Sequence, residues 1–398
     1  MKRRWWGMAA VALASGVIAA PAAAQDTRAA EIASAQAAKA QALRPYEPGK
    51  AERIAADVKK RLLETPDGLY PWLDSVYSGG GFTFGGGFRH YYADRTFFDM
   101  RGLYSTKAYK AVEFATDSIG LDTGRIDLHA IAGFRDATQV AFYGVGGDTS
   151  ADAKSNFRLK QAYFGGSARR RGAASTVIDL GLQYEHYETN PPKGSSPSIE
   201  ESYTPDTAPG LGADPDYVHV TVGGGFDTRP SPGYARHGGL YELTLDEFYN
   251  PDGTYTFNRL QGEIVQHAPL LRENWVLSFH GVARTTLDDQ AVVPYFLLPS
   301  LGSGSTLRGY QSWRFRDRHS LLMSGEWRWI PSRMFMDMAI FYDAGKVTSR
   351  REDLNLSDLH TDYGVGIRLH GLLATPLRIE FAHGSEGTKL VFSGAAAF

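Results

Sequence analysis

The residues best equipped for directional chemistry are one arginine and two acids. The segment SLGSGSTLRGYQSW (300–313) sets Arg308 between a run of glycines and serines and the aromatic Tyr310. A guanidinium is a planar fork that can serve two carboxylates through charge-assisted hydrogen bonds, which the point charge of lysine cannot do. In LLMSGEWRWI, Glu326 shares one face of a strand-like alternation with Ser324 and Arg328, opposite Met323, Trp327 and Trp329. In DMAIFYDAG, Asp337 and Asp343 fall opposite Met338, Ile340 and Tyr342. If the apolar faces meet lipid, these acids point inward.

Catalytic patterns are missing. The chain has no cysteine, hence no disulfide framework or thiolate metal site, and neither G-x-S-x-G nor H-E-x-x-H occurs. His267, His280, His370 and His383 are scattered over separate segments with no spacing that ties one to a serine and an aspartate. A protein that is not an enzyme and needs no cofactor or metal is the reading these absences favour. A net charge of −2 argues against a nucleic-acid partner.

The elements that must hold these residues are strands. From about residue 68 the sequence alternates: in VIDLGLQYEHY, Ile178, Leu180, Leu182 and Tyr184 oppose Asp179, Gln183 and Glu185. LYELTLDEF, YGVGIRLH and PLRIEFAH repeat the split, setting Arg368 against Val365 and Ile367, and Arg378 and Glu380 against Ile379 and Phe381. A soluble sandwich reads the same way strand by strand, but the pattern runs for over 300 residues, and 44 glycines with 12% aromatics suit a closed barrel with aromatic girdles. Sixteen strands are expected, the first centred near residue 84, the fourth and fifth near 130 and 141, the last near 393. RDAT (135–138), ARRRGA, IPSR and LLATP then read as inner turns, and 188–215, 286–317 and 347–360 as long outer loops. The fold class is an all-β transmembrane antiparallel barrel with a short N-terminal helical segment.

The first residues set the compartment. MKRRWW, an Ala-rich apolar run and AAAQ form an export signal with processing expected after Ala24. Residues 25–67 form a short helical periplasmic leader, interrupted at RPYEPG, whose second piece has Ile54, Val58 and Leu62 on one face. Residues 68–398 form the barrel, with both termini periplasmic in a Gram-negative outer membrane. No segment reaches the roughly 18 to 20 apolar residues of a spanning helix.

Three motifs make the chain resemble the BamA/TamA-type bacterial surface-antigen barrels of outer-membrane assembly and secretion. LRGY (Leu307, Arg308, Gly309, Tyr310) resembles the signature of their sixth outer loop, FYDAG (Phe341, Asp343, Gly345) their F-x-D-x-G on the thirteenth strand, and Asp227, Thr228 and Arg229 their periplasmic turn. The resemblance covers roughly residues 70–398. It implies that the loop folds into the lumen and that Arg308 pairs there with Asp343 and Glu326. It implies outer-membrane lipid and a protein or lipid client as partners. Members that assemble other barrels carry several periplasmic domains ahead of the barrel; about 40 residues lie between Ala24 and the first expected strand, so a barrel-only member is expected. A separate periplasmic partner or oligomerisation is then the open alternative for client delivery. The glycine-rich stretch YSGGGFTFGGGFRHYY and the last strand KLVFSGAAAF must pair to close the barrel. Their small residues suit either a lateral gate or close packing of bulky neighbours. Phe398 is the terminal aromatic expected of an assembled barrel. A passive diffusion channel is the rival function.

Overall fold

The computed structural model describes residues 21–42, 49–50, 53, 67–72, 75–270, 274–331, 335–371, 375 and 377–394. Most of the expected export signal, the expected amphipathic positions Ile54, Val58 and Leu62, and Phe398 lie outside the described residues. The chain divides into two units, 1–56 and 57–398. In the first, α1 (Pro21–Ala42) is an Ala-rich helix with Lys39 in its last turn, where a cation favours the helix dipole.

The second unit is a sixteen-stranded antiparallel sheet in which every strand pairs with its neighbours in sequence. Its strands are β1 (Gly68–Trp72), β2 (Thr83–Ala93), β3 (Thr96–Ser105), β4 (Lys110–Gly120), β5 (Ile126–Phe142), β6 (Ser155–Arg171), β7 (Thr176–Asn190) and β8 (Asp216–Asp227). They continue as β9 (Gly238–Tyr249), β10 (Phe257–Leu270), β11 (Trp275–Thr286), β12 (His319–Trp329), β13 (Met336–Thr348), β14 (His360–Leu369), β15 (Leu377–Gly384) and β16 (Gly387–Ser393). Long connections gather at one end, among them 191–215 and 287–318; short turns and both ends of the sheet lie at the other.

Polarity is inverted relative to a soluble protein. On β13, Ile340 and Tyr342 are 57% and 53% exposed while Asp337 and Asp343 are 0% exposed. Leu180, Leu182, Leu243, Val365 and Phe381 are likewise outward and open, and Glu326, Arg368, Arg378 and Glu380 are buried. A large aliphatic side chain left in water forgoes about 1.5–3 kcal/mol of burial, so a belt of this kind is stable only with lipid as its solvent.

Two corrections concern the strand register. Arg135–Thr138 is not a turn but lies inside β5, which runs unbroken to Phe142 with a bulge between Ala137 and Val140. Its charges serve cross-strand pairs instead: Arg158 donates two bonds to Asp136 at 2.7 and 2.8 Å, and Arg135 reaches Glu113 at 3.2 Å. The glycine-rich stretch is the second strand, not the first. The true first strand, GLYPW, escapes a periodicity reading because it is short and holds Pro71, a residue tolerated where a strand pairs on one side only. One strand lost and one gained leave the total at sixteen, and from β6 onward expected and observed strands coincide.

The seam therefore differs from the expected one. β1 covers only Gly85–Arg89 of β2, and among the described residues no ladder joins β1 to β16; the Phe82 and Phe392 rings meet edge to face at 6.2 Å. Close packing accounts for Gly87 of β2, the cross-strand partner of Tyr70, since a Cβ there would strike the Tyr70 ring. Inside, the long-loop end is filled by an apolar cluster in which Val293, Tyr295, Phe296 and Leu298 of the 287–318 loop pack on Phe142, Phe157, Tyr217 and Phe257.

Candidate functional site

The 287–318 connection enters the lumen and is braced by a two-residue ribbon, Ser300–Leu301 against Phe315–Arg316. Leu307 packs with Val282, Leu301, Tyr310, Phe315, Leu322 and Val347 in an apolar cluster, which sets the depth of the loop. Arg308 then points at the wall. Its Nε and Nη2 donate to the two oxygens of Asp343, both at 2.7 Å, and its Nη1 donates to Glu326 Oε1 at 2.7 Å. Nη1 also lies 3.3 Å from Glu380 Oε1. The guanidinium carbon sits 3.4 Å from the centre of the Phe341 ring, stacked on its face.

The other motif residues are spacing elements. A Cβ on Gly309 would come within 2.6 Å of Asp362 Cβ and 2.8 Å of the Gly384 nitrogen, so only glycine lets the loop backbone approach β14 and β15. Gly345 clears Leu301 and the Leu321 carbonyl in the same way. Tyr310 donates to the Thr361 carbonyl at 3.3 Å and contacts Ser385 Oγ at 3.0 Å, with its ring edge-on to Phe315.

Three charged residues that sequence reading did not assign complete the site. Arg368 donates to both oxygens of Glu326, at 2.8 and 2.6 Å, and to Glu380 Oε1 at 2.8 Å. Arg378 lies 3.4 Å from Glu380 Oε2 and donates to the Gly304 carbonyl at 2.5 Å. Among the described residues the ion-pair cluster holds three guanidinium groups and three carboxylates, all nearly free of solvent. A neutral sum is what allows so many charges to leave water together. Burial alone would lower the pKa of Arg308, but its bonds to Asp343 and the charges of Glu326, Asp343 and Glu380 prevail and raise it above the usual arginine value. The polar-face positions of Arg368, Arg378 and Glu380 were legible from alternation; which charges come level with the loop was not.

The loop is tied elsewhere too. Trp313 adopts φ 63°, rare for a bulky residue, and is held there by stacking on Tyr77 at 4.8 Å and by donation of its indole N–H to the Ser78 carbonyl at 2.9 Å. Arg316 is fully buried, donates to the carbonyls of Tyr295 and Ala141, and has its pKa pushed down to about 10 by burial.

Asp227, Thr228 and Arg229 are not part of this cluster; they lie at the short-turn end. Arg229 grips Asp227 through Nε and Nη2 at 3.0 and 3.1 Å, and Thr228 closes the turn on Gly239. That fixed base aims the rest of the turn inward: Tyr234 donates to both Asp337 oxygens at 2.9 and 3.0 Å and stacks on His370 at 4.0 Å.

Residues 119–391 match the Omp85 superfamily domain. The chain belongs to the Omp85 superfamily. Solved structures with the same fold include BamA from Haemophilus ducreyi lacking POTRA domains 1–3, at 14% identity and a TM-score of 0.57, covering 84% of this chain and 70% of that one. CdiB from Escherichia coli gives 13% and 0.53, covering 83% and 60%, and CdiB from Acinetobacter baumannii gives 11% and 0.50, covering 81% and 57%. The chain thus spans less than two thirds of either CdiB chain. No curated protein matches. Omp85 barrels are bacterial outer-membrane proteins, generally non-enzymatic and active in transport or assembly. The lipid-facing belt of this chain belongs to such a barrel, related to those of BamA and CdiB.

Proposed function

We propose that this barrel translocates or helps to insert protein or lipid at the outer membrane, with the 287–318 loop as its internal gating element and Arg308 as the lock. The observation that carries this reading is the burial of one loop arginine against carboxylates from three different strands, β12, β13 and β15. Side chains that only lined a water-filled pore would not need a neutral, desolvated cluster behind a loop. The apolar cluster under the long loops supports the same reading over a passive diffusion channel, because it fills the space through which small solutes would pass.

In this proposal both termini face the periplasm, the chemistry is non-covalent with no cofactor, and the client is a protein or lipid delivered by a separate periplasmic partner or by oligomerisation. The test is a deletion strain complemented with wild type or Arg308→Ala and scored for outer-membrane protein content, lipid asymmetry and surface exposure. Loss of complementation by a barrel that still reaches the membrane is the expected result. Full complementation by Arg308→Ala, with wild-type resistance to heat and protease, refutes the lock.

A further inference from the structure

The outer wall carries a feature that the lumen does not explain. Across β4 to β7, at the short-turn end, the lipid-facing surface dips into a groove of about 570 Å³. Its floor is small, with Ser118 on β4, Ala130 on β5 and Gly166 and Ala168 on β6, between higher walls at Leu128 and Leu180. The neighbouring outer surface is instead studded with large groups, such as Phe114, Phe134 and Phe164. Tyr92 rims the groove and shares a hydrogen bond with Thr116 at 2.9 Å, placing a polar aromatic at the depth where barrels carry their interfacial girdle.

Basic charge gathers just beyond the groove, at the short-turn end of the same strands. Arg95 in the β2–β3 turn, Arg125 in the β4–β5 turn and Arg170 at the end of β6 are exposed, and among the described residues none has an ion-pair partner. Arg125, just before β5, and Arg170 on β6 are neighbours: Arg170 is the cross-strand partner of Ile126, and the Arg125 carbonyl accepts from the Arg171 amide at 2.7 Å. Arg95 reaches over Gly120, the residue that opens the next turn. By contrast the two nearest arginines are already occupied, Arg169 by Asp179 and Glu242 and Arg171 by Asp127.

We infer that this groove is a binding site for an anionic phospholipid of the inner leaflet, its phosphate held by Arg95, Arg125 and Arg170 and one acyl chain lying on the small-residue floor. Charge complementarity selects the headgroup, and continuity with the apolar belt selects a chain already in the bilayer. The inference rests on the proposed placement of the short-turn end at the periplasmic face.

The experiment is native mass spectrometry of the full-length barrel in detergent, titrated separately with phosphatidylglycerol, phosphatidylethanolamine and lipopolysaccharide. Wild type should retain phosphatidylglycerol preferentially. Arg95→Gln/Arg125→Gln/Arg170→Gln should lower that retention on the order of a hundredfold, and Ala168→Phe, which fills the floor and keeps the arginines, should lower it as well. Heat-modifiable migration of each variant shows that the barrel is folded, and Ser118→Phe provides a second filled floor if Ala168→Phe does not assemble. Equal retention in wild type and the triple variant overturns the site. So does loss in the arginine variant with none in the filled-floor variants, which marks a nonspecific basic rim. Selective loss of lipopolysaccharide instead overturns it by placing this end in the outer leaflet, and cysteine labelling of residue 174 in intact cells checks that orientation without any lipid.

Discussion

At the scale of single residues, Arg308 differs from an ordinary surface arginine in having no water to fall back on. Removing it strands Asp343 in a desolvated cluster and leaves Glu326 and Glu380 to Arg368 and Arg378. Arg308→Ala should therefore weaken loop anchoring by about 3–5 kcal/mol, read as faster cleavage within 287–318 by added protease. Arg308→Lys should restore little, because an ammonium cannot serve both Asp343 oxygens and Glu326 while stacked on the face of the Phe341 ring. Arg368 was not predicted from the motifs, yet it holds Glu326 and Glu380. Arg368→Ala should loosen the loop nearly as much as Arg308→Ala, and the double variant should fall well short of the sum of the two because they share carboxylates. The inward direction of Glu326 and Asp343 was readable from alternation against the tryptophans. Glu380 and Arg368 had the same parity signal, but strand shear decides which charges lie level with the loop, and shear is not written in any one strand.

Among elements, the two ends of the barrel are plugged by different devices. The long loop is deep and tied by ion pairs, the left-handed Trp313 and the apolar cluster; the 228–237 turn is shallow and tied chiefly by Tyr234. Tyr234→Phe removes a hydrogen bond to a buried carboxylate, a loss of about 1.5–3 kcal/mol, and should expose the 228–237 turn to proteolysis while the 287–318 loop stays protected. Equal exposure of both segments would show that the two plugs move as one. The sequence errors were also made at this scale. Alternation identified β6 to β16 well because their two faces differ in polarity along the whole length. It failed at β1, where five residues and a proline leave too little period to read, and at β5, where Arg135 and Asp136 resembled a turn but are paired across the sheet.

For the whole molecule, the proposed gating role makes the sixteen-strand barrel, with its lumen occupied by the long loop, closed at rest. In planar bilayers the wild type should show small, infrequent conductance, and Arg308→Ala should open longer and wider; a steady porin-like conductance in wild type contradicts closure. The central claim, that Arg308 holds the loop against the wall, is tested most directly by a disulfide, since the chain has no cysteine of its own. A Cβ built on Gly304 lies 3.9 Å from Val391 Cβ, within the ~3.5–4.5 Å a disulfide needs. The predicted result is efficient crosslinking of Gly304→Cys/Val391→Cys in membranes, and a marked loss of it when Arg308→Ala is added. Crosslinking that proceeds equally with and without Arg308, in barrels that fold to the same yield, would contradict the claim.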